Sequence, residues 1–184
     1  MAHTEKDGLF STDTPRLEPI KPAHRDRFLA AVARSRELHQ PWVFPPATAR
    51  QFDEYIERYR RDNNIGLLAV DGQEQLIGCI NLNEIVRGAL QSAYLAYYAF
   101  IPFAGNGVMR KAMESAIRFA FKDIGLHRLE ANIQPANTRS KNLALSLGFR
   151  LEGFSPHYLR IANSWKDHER YALTIEDLLP GSAG

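Results

Sequence analysis

A chain of 184 residues fits one ordinary domain and leaves little room for a second of normal size. With 45% apolar and 24% charged residues it sits at the soluble globular norm, which excludes wholesale disorder and fibrous repeats. Lys and Arg exceed Asp and Glu by only 23 to 21, too little for charge alone to call for nucleic acid or an anionic membrane, and the single cysteine, Cys79, excludes an intrachain disulfide.

Residues 1–14 are polar, carry Glu5, Lys6 and Asp7, and lack the apolar centre of a signal peptide, so they are expected to form a flexible arm. The domain proper is expected over 15–178, with a short flexible tail at 179–184. The longest mostly apolar stretch, Ala93 to Ala104, falls well short of the roughly 18 residues of a membrane span. A soluble cytoplasmic protein with no membrane or direct nucleic-acid partner is the expectation, and a lone cysteine is compatible with a reducing compartment.

Arg16 to Ile20 reads as a short edge strand, because Pro19 cannot donate to a central ladder. Pro22 opens a helix carrying Phe28, Leu29, Val32 and Leu38, which the Pro41–Pro46 segment interrupts. Thr48 is a suitable N-cap for a second helix with Phe52, Tyr55, Ile56 and Tyr59 on one face. Three strands follow without a helix between them: Ile65 to Val70, Leu76 to Val86 and Ser92 to Phe100, the first two joined by Asp71-Gly72. That run predicts an antiparallel meander. A long amphipathic helix is predicted from about Asn106 to Ile124, stopped by Gly125. His127 to Ile133 is a further strand, Asn137 to Leu147 a further helix, and Arg150–Ile161 with Trp165–Ile175 a closing hairpin. The order is that of a mixed α/β or α+β domain of about seven strands and about four helices.

The sharpest local feature is the junction from Phe100 through Gly105-Asn106-Gly107 into Val108-Met109. A strand enters a loop with two glycines, and a helix begins at once. Small residues let backbone approach a ligand, and the unpaired amides of a helix start suit a phosphate, with Arg110 and Lys111 adding positive charge. An ordinary tight strand-to-helix turn is the competing reading of these residues taken alone.

Tyr97-Tyr98-Ala99-Phe100 leading to Gly105-Asn106-Gly107, then His127-Arg128-Leu129-Glu130-Ala131, Asn137-Thr138-Arg139-Ser140 and Leu147 to Phe154, follow one another in a recognisable order. Over about Arg16 to Leu178 the chain resembles the GNAT-superfamily acyltransferases, of the RimJ/RimL-type protein N-terminal acetyltransferase group. The resemblance implies a GNAT-type single domain with a mostly antiparallel, splayed sheet, acetyl-CoA as cosubstrate, no metal, and an amine acceptor, foremost a protein N-terminal amine such as that of a ribosomal protein. A small amine, polyamine or antibiotic is the alternative acceptor, and a CoA-binding module without catalysis the alternative from another class. A homodimer is left open. Laid on the superfamily pattern Arg/Gln-x-x-Gly-x-Gly/Ala, the chain carries Ala104 in the first position, Gly107 as the first glycine and Met109 in the last small position, so the usual side-chain contribution of the first is absent.

On that resemblance the cofactor-binding residues are Tyr98, Ala99 and Phe100, whose backbone donors polarise the thioester carbonyl if the strand separates from its neighbour, then Gly105, Asn106, Gly107, Val108, Met109 and Arg110 around the diphosphate, and Asn137, Ser140 and Asn142. Asn137 and Ser140, three apart on one helix face, match the family's Asn-x-x-Ser element; Ser140 would relay a proton to the sulfur, while capping alone would also explain the pair. Glu84 is the first candidate for the general base and Tyr158 for the proton donor to the thiolate, a solvated carboxylate and a cleft-wall ring being the plainer readings. His157 and His168 titrate near neutrality, with no motif that assigns either a role. Trp42, Phe44 and Trp165 are the candidates for the acceptor groove.

Overall fold

A computed structural model of the chain describes residues 14–178, so the expected tail and all but the last residue of the expected arm lie outside the described residues. Seven strands make one sheet: β1 (Arg16–Pro19), β2 (Ile65–Val70), β3 (Leu76–Val86), β4 (Ser92–Ala99), β5 (Arg128–Ile133), β6 (Arg150–Ile161) and β7 (Ser164–Thr174), in the order β1-β2-β3-β4-β5-β7-β6. Every neighbouring pair is antiparallel except β4 and β5. Pro19 sits on the edge strand, as its missing N–H requires. The meander and the closing hairpin are both present.

Five α-helices cover the two faces: α1 (Arg25–Arg34), α2 (Arg36–His39), α3 (Ala49–Arg58), α4 (Val108–Arg118) and α5 (Thr138–Ser146). The fifth arises because the first predicted helix is broken at Ser35. That residue is fully buried, and its hydroxyl accepts from the Ile101 amide at 3.0 Å. A contact 66 residues away thus overrides a continuous helical pattern. Thr48 does cap α3, its hydroxyl accepting from Gln51 N at 3.3 Å. The long helix starts two residues later than its pattern predicts, because Gly107 stands before it in the left-handed region at φ 81°, and its last turn widens into a π-helical turn at Phe119–Asp123.

The sheet's alternation sorts side chains into two cores. Leu95, Leu129, Ala131, Ile133, Tyr171 and Leu173 pack with Met113, Ile117 and Ala144 under α4 and α5. Leu68, Cys79, Tyr98 and Phe100 pack with Phe28, Phe52 and Tyr55 under α1 and α3. Phe28 is the hub of the second core, its ring centroid 5.1 Å from that of Phe52 and 5.8 Å from that of Phe100.

Candidate active site

The parallel pair β4 and β5 is in register only from Ser92–Tyr94 against Arg128–Glu130. Beyond it β4 stays on β3 and β5 stays on β7, so the sheet parts between them. Phe100 N–H donates to Ile77 O at 2.8 Å, which by antiparallel alternation turns the even-numbered residues of β4 to β3 and leaves the amides of Tyr97 and Ala99 facing the gap. Tertiary contacts on opposite faces secure the open strand. Tyr97 Oη donates to Ser140 O at 3.0 Å, and the His39 imidazole Nε2 donates to Ala99 O at 2.8 Å. A cleft of about 1120 Å³ occupies the gap and opens to both faces of the sheet.

On the face of α4 and α5 the cleft is lined by Tyr97, Asn137 and Ser140. The Asn137 carboxamide caps α5 by accepting from Ser140 N at 3.2 Å, and Ser140 Oγ donates to Tyr97 Oη at 3.0 Å. Burial raises the Tyr97 phenol to about 12, so it remains a protonated donor at neutral pH. On this same side of the chain the β4–α4 loop presents Gly105 at φ 89° and Gly107 at φ 81°; a Cβ built at either would meet nothing within 4 Å, so the outer face of the loop is open. The amides of Val108, Met109 and Arg110 form the first turn of α4.

On the face of α1 to α3 the lining mixes apolar side chains such as Leu29, Val43 and Phe44 with polar ones. Asn81 and Asn83 accept from Tyr55 and Tyr59 hydroxyls, each at 2.8 Å. Glu84 sits in the β3 bulge at φ 51°, with its N–H donating to Asn64 Oδ1 at 3.2 Å and its carboxylate accepting from Asn63 Nδ2 at 3.1 Å. Tyr158 donates to Tyr94 Oη at 3.5 Å, and that bond, with burial, raises the Tyr94 phenol to about 12. Three buried polar atoms lining this side have no hydrogen-bond partner among the described residues, His39 Nδ1, Tyr98 Oη and Asn132 Oδ1. Burial holds the His39 imidazole below its ordinary pKa, in the neutral form.

A sheet parted between a fourth and fifth strand, with a glycine loop and helix start at the mouth of the gap, defines the site; the sequence supplies its lineage. Residues 16–150 match the profile of the acetyltransferase (GNAT) domain. The chain belongs to the GNAT family. The [ribosomal protein uS5]-alanine N-acetyltransferase of Escherichia coli is 38% identical over 109 residues, 59% of this chain and 56% of that enzyme, so the chain spans little more than half the length of that relative. The probable N-acetyltransferase YjcK of Bacillus subtilis is 32% identical over 130 residues, 70% of this chain and 71% of that protein. The structure of Mycobacterium smegmatis RimJ in complex with CoA-disulfide superimposes with a TM-score of 0.80 at 23% identity, covering 88% of this chain and 82% of that one, which shows the shared fold.

Within this GNAT frame the expected site residues separate. Tyr98, Asn137, Ser140, Glu84, Tyr158, Trp42 and Phe44 all line the cleft. Phe100 does not: its side chain is fully buried in the α1–α3 core, and its amide, like that of Tyr98, belongs to the β3 ladder, so contrary to expectation the donors facing the gap are those of Ala99 and Tyr97 alone of this segment. The Met109 side chain lies in the other core against Gly78, and only its amide is available to a ligand. Arg110 projects outward and pairs with Glu114 at 3.3 Å. Asn142 is exposed on α5 away from the cleft, two residues and so roughly 200° round the helix from Ser140. Trp165 is 60% exposed and lines a separate shallow depression of about 360 Å³, which Trp42 and Gln134 connect to the main cleft. Tyr97, His39 and Asn132 are site residues that the sequence left unmarked. Strand alternation beside Tyr98 carries a signal for Tyr97, but nothing local marks His39, whose partner is 60 residues away.

Proposed function

We propose that this GNAT protein is an acetyl-CoA-dependent N-acetyltransferase acting on a protein N-terminal α-amine. The observation that carries the reading is a cleft passing through the parted sheet, so that two reactants reach one point from opposite faces. The α4–α5 face fits the nucleotide thioester: the open glycine loop and the first-turn amides of α4 suit its diphosphate, and Asn137 its amide-bearing arm. Acetyl-CoA supplies an activated acyl carbon and a thiolate leaving group.

The chain's own residues have distinct tasks. The Ala99 and Tyr97 amides in the gap are oriented donors for a carbonyl oxygen that gains charge during attack. Ser140 is the hydroxyl on the α5 side placed to pass a proton to a departing sulfur, and Tyr97 holds it in place by accepting from its hydroxyl and donating to its carbonyl. On the α1–α3 face, the unpartnered Asn132 Oδ1 and His39 Nδ1 suit the N–H donors of an incoming amine or peptide. Trp42 and Phe44 form an aromatic rim for the residues that follow the amine, Phe44 being 49% exposed, and Glu84 is a rim carboxylate for its positive charge.

A peptide acceptor is favoured by the mixed charge of the lining, where Glu54, Glu84 and Glu130 are offset by Arg36 and Arg58, and by the alanine N-terminus in the name of the Escherichia coli relative. A cytoplasmic site of action accords with both substrates. Among the described residues no helix is long and apolar enough to cross a membrane. Incubation with acetyl-CoA and an alanine-initiated peptide, an N-terminally blocked peptide with internal lysines, and spermidine, read by mass spectrometry, tests the reading. A single acetyl on the first peptide's α-amine is expected. Acetylation of spermidine alone, or of no acceptor, would overturn it.

A further inference from the structure

Resting on the acyl-transfer reading, we propose that His168 is the catalytic base that removes the proton from the acceptor's ammonium group. His168 lies on β7 and lines the cleft from the α1–α3 side, the face assigned to the acceptor, while Ser140 lines it from the other. Its ring is 2% exposed, so it is held by packing rather than left to rotate in solvent. Its Nδ1–H donates to the Lys166 carbonyl at 2.9 Å, which fixes the tautomer and leaves the Nε2 lone pair as the basic site. Among the described residues nothing donates to Nε2, and the Tyr158 ring stands 6.1 Å away across the cleft wall. Glu84, by contrast, is exposed, already accepts from Asn63, and sits on the outer bulge of β3.

The proton balance is complete with the reactants of the proposed function. An α-ammonium gives one proton to His168 Nε2 and becomes the neutral amine. Its nitrogen lone pair forms the bond to the thioester carbon, the carbon–sulfur bond breaks, and the second N–H proton goes to the leaving sulfur through Ser140. The imidazolium returns its proton to water through the open cleft. The groups recorded against the imidazole are Tyr158 on β6 and Lys166 and Asp167 on its own strand; Tyr94 on β4 and Glu130 on β5 line the same cleft, and Arg170 follows on β7. Glu130 is neutralised by Arg128 at 2.8 Å and the Asp167 carboxylate accepts from His157 N, so burial outweighs them and holds His168 below its ordinary value of 6.5. The base is therefore available at neutral pH and is lost as pH falls through that lowered value.

The test compares wild-type protein with His168→Gln, using acetyl-CoA and an alanine-initiated peptide over pH 5.5 to 9. The expected result is a kcat/KM lower by about 100-fold or more near pH 7, with the acidic limb displaced upward to follow the α-amine's own ionisation, so that the deficit shrinks above that pKa of about 8, where the substrate needs no base. Thioester affinity should be unchanged, since the residue lies on the opposite face. An unaltered profile, or an equal loss at every pH, would overturn the assignment while leaving the acyltransferase reading intact; an inactive wild type would instead overturn that reading. Nitrogen-15 spectra of the wild-type histidines give a check independent of any variant. A neutral Nδ1–H tautomer of His168 at pH 7 is expected, and an Nε2–H tautomer or an imidazolium would refute the proposal.

Discussion

Ser140 and Tyr97 work as a pair because each satisfies the other. The serine hydroxyl donates to the phenol, the phenol donates to the serine carbonyl, and both are anchored where α5 meets the open strand. Asn137 holds the serine's amide, so the first turn of α5 is fixed before any ligand arrives. Ser140→Ala is expected to slow single-turnover acetylation by about 10–100-fold with thioester affinity close to normal. Rapid-quench kinetics beside calorimetry would separate the two, and an unchanged rate would remove Ser140 from the chemistry. Ser140 and Asn137 were legible because they match the Asn-x-x-Ser element of the resembling family; their spacing alone, which places both on one helix face, was equally explained by capping. Tyr97 was legible only in part: alternation puts it opposite Tyr98, but which face carries the thioester depends on where α5 docks. His39 was invisible, since its role follows from donating to Ala99 across 60 residues of chain.

At the scale of elements, the β4–α4 junction and the base of the gap carry the design. Gly107 precedes α4 at φ 81°, a conformation that costs a side-chain-bearing residue roughly 1–2 kcal/mol, and its outward direction is open. Gly107→Trp should therefore melt cooperatively yet weaken CoA binding at least about tenfold, or 1.4 kcal/mol, by standing in front of the α4 amides. Unchanged affinity in calorimetry would contradict the placement of the diphosphate. Where β4 and β5 are still joined, Arg128 bridges Glu130 at 2.8 Å and bonds Glu152 of β6, while Arg150 reaches Glu152 at 2.8 Å and also pairs with Asp177. The hydrogen bond from Arg128 holds the Glu152 carboxyl below its ordinary 4.5. That stabilisation is present above the ordinary carboxyl range and is lost as pH falls through the lowered value. Arg128→Ala should cost about 1–2 kcal/mol at pH 7, these groups being only partly buried. Urea denaturation should show the deficit shrinking below about pH 4, and a pH-independent loss would assign the residue a packing role instead.

For the whole molecule, the two faces of the sheet have separate cores. The α4–α5 core carries the loop and the serine; the α1–α3 core backs the other wall of the cleft and meets the first through β3 and β4. The corner between α1 and α2 grips the end of β4 through Ser35, Arg34 and His39, with Arg34 Nε donating to Ile101 O at 2.9 Å. Stability of the α1–α3 wall and geometry of the gap are thereby linked. Phe28→Ala, which empties the centre of the α1–α3 core, is expected to cost about 3–5 kcal/mol in urea denaturation and to raise the acceptor KM more than the KM for acetyl-CoA. Equal effects on both would show that the two faces are not mechanically distinct.

The sequence by itself determined the element order, the meander, the caps at Thr48 and Asn137, and the strand–glycine–helix junction, because these rest on contacts within a few residues: periodicity, capping and turn chemistry. Tertiary structure alone decided the break at Ser35, the extent of the parting between β4 and β5, the withdrawal of Phe100 and the Met109 side chain into the cores, and the arrival of His39 and His168 on the α1–α3 side of the cleft. Each of those depends on a partner dozens of residues away, and local patterns carry no information about which distant surface a side chain will meet.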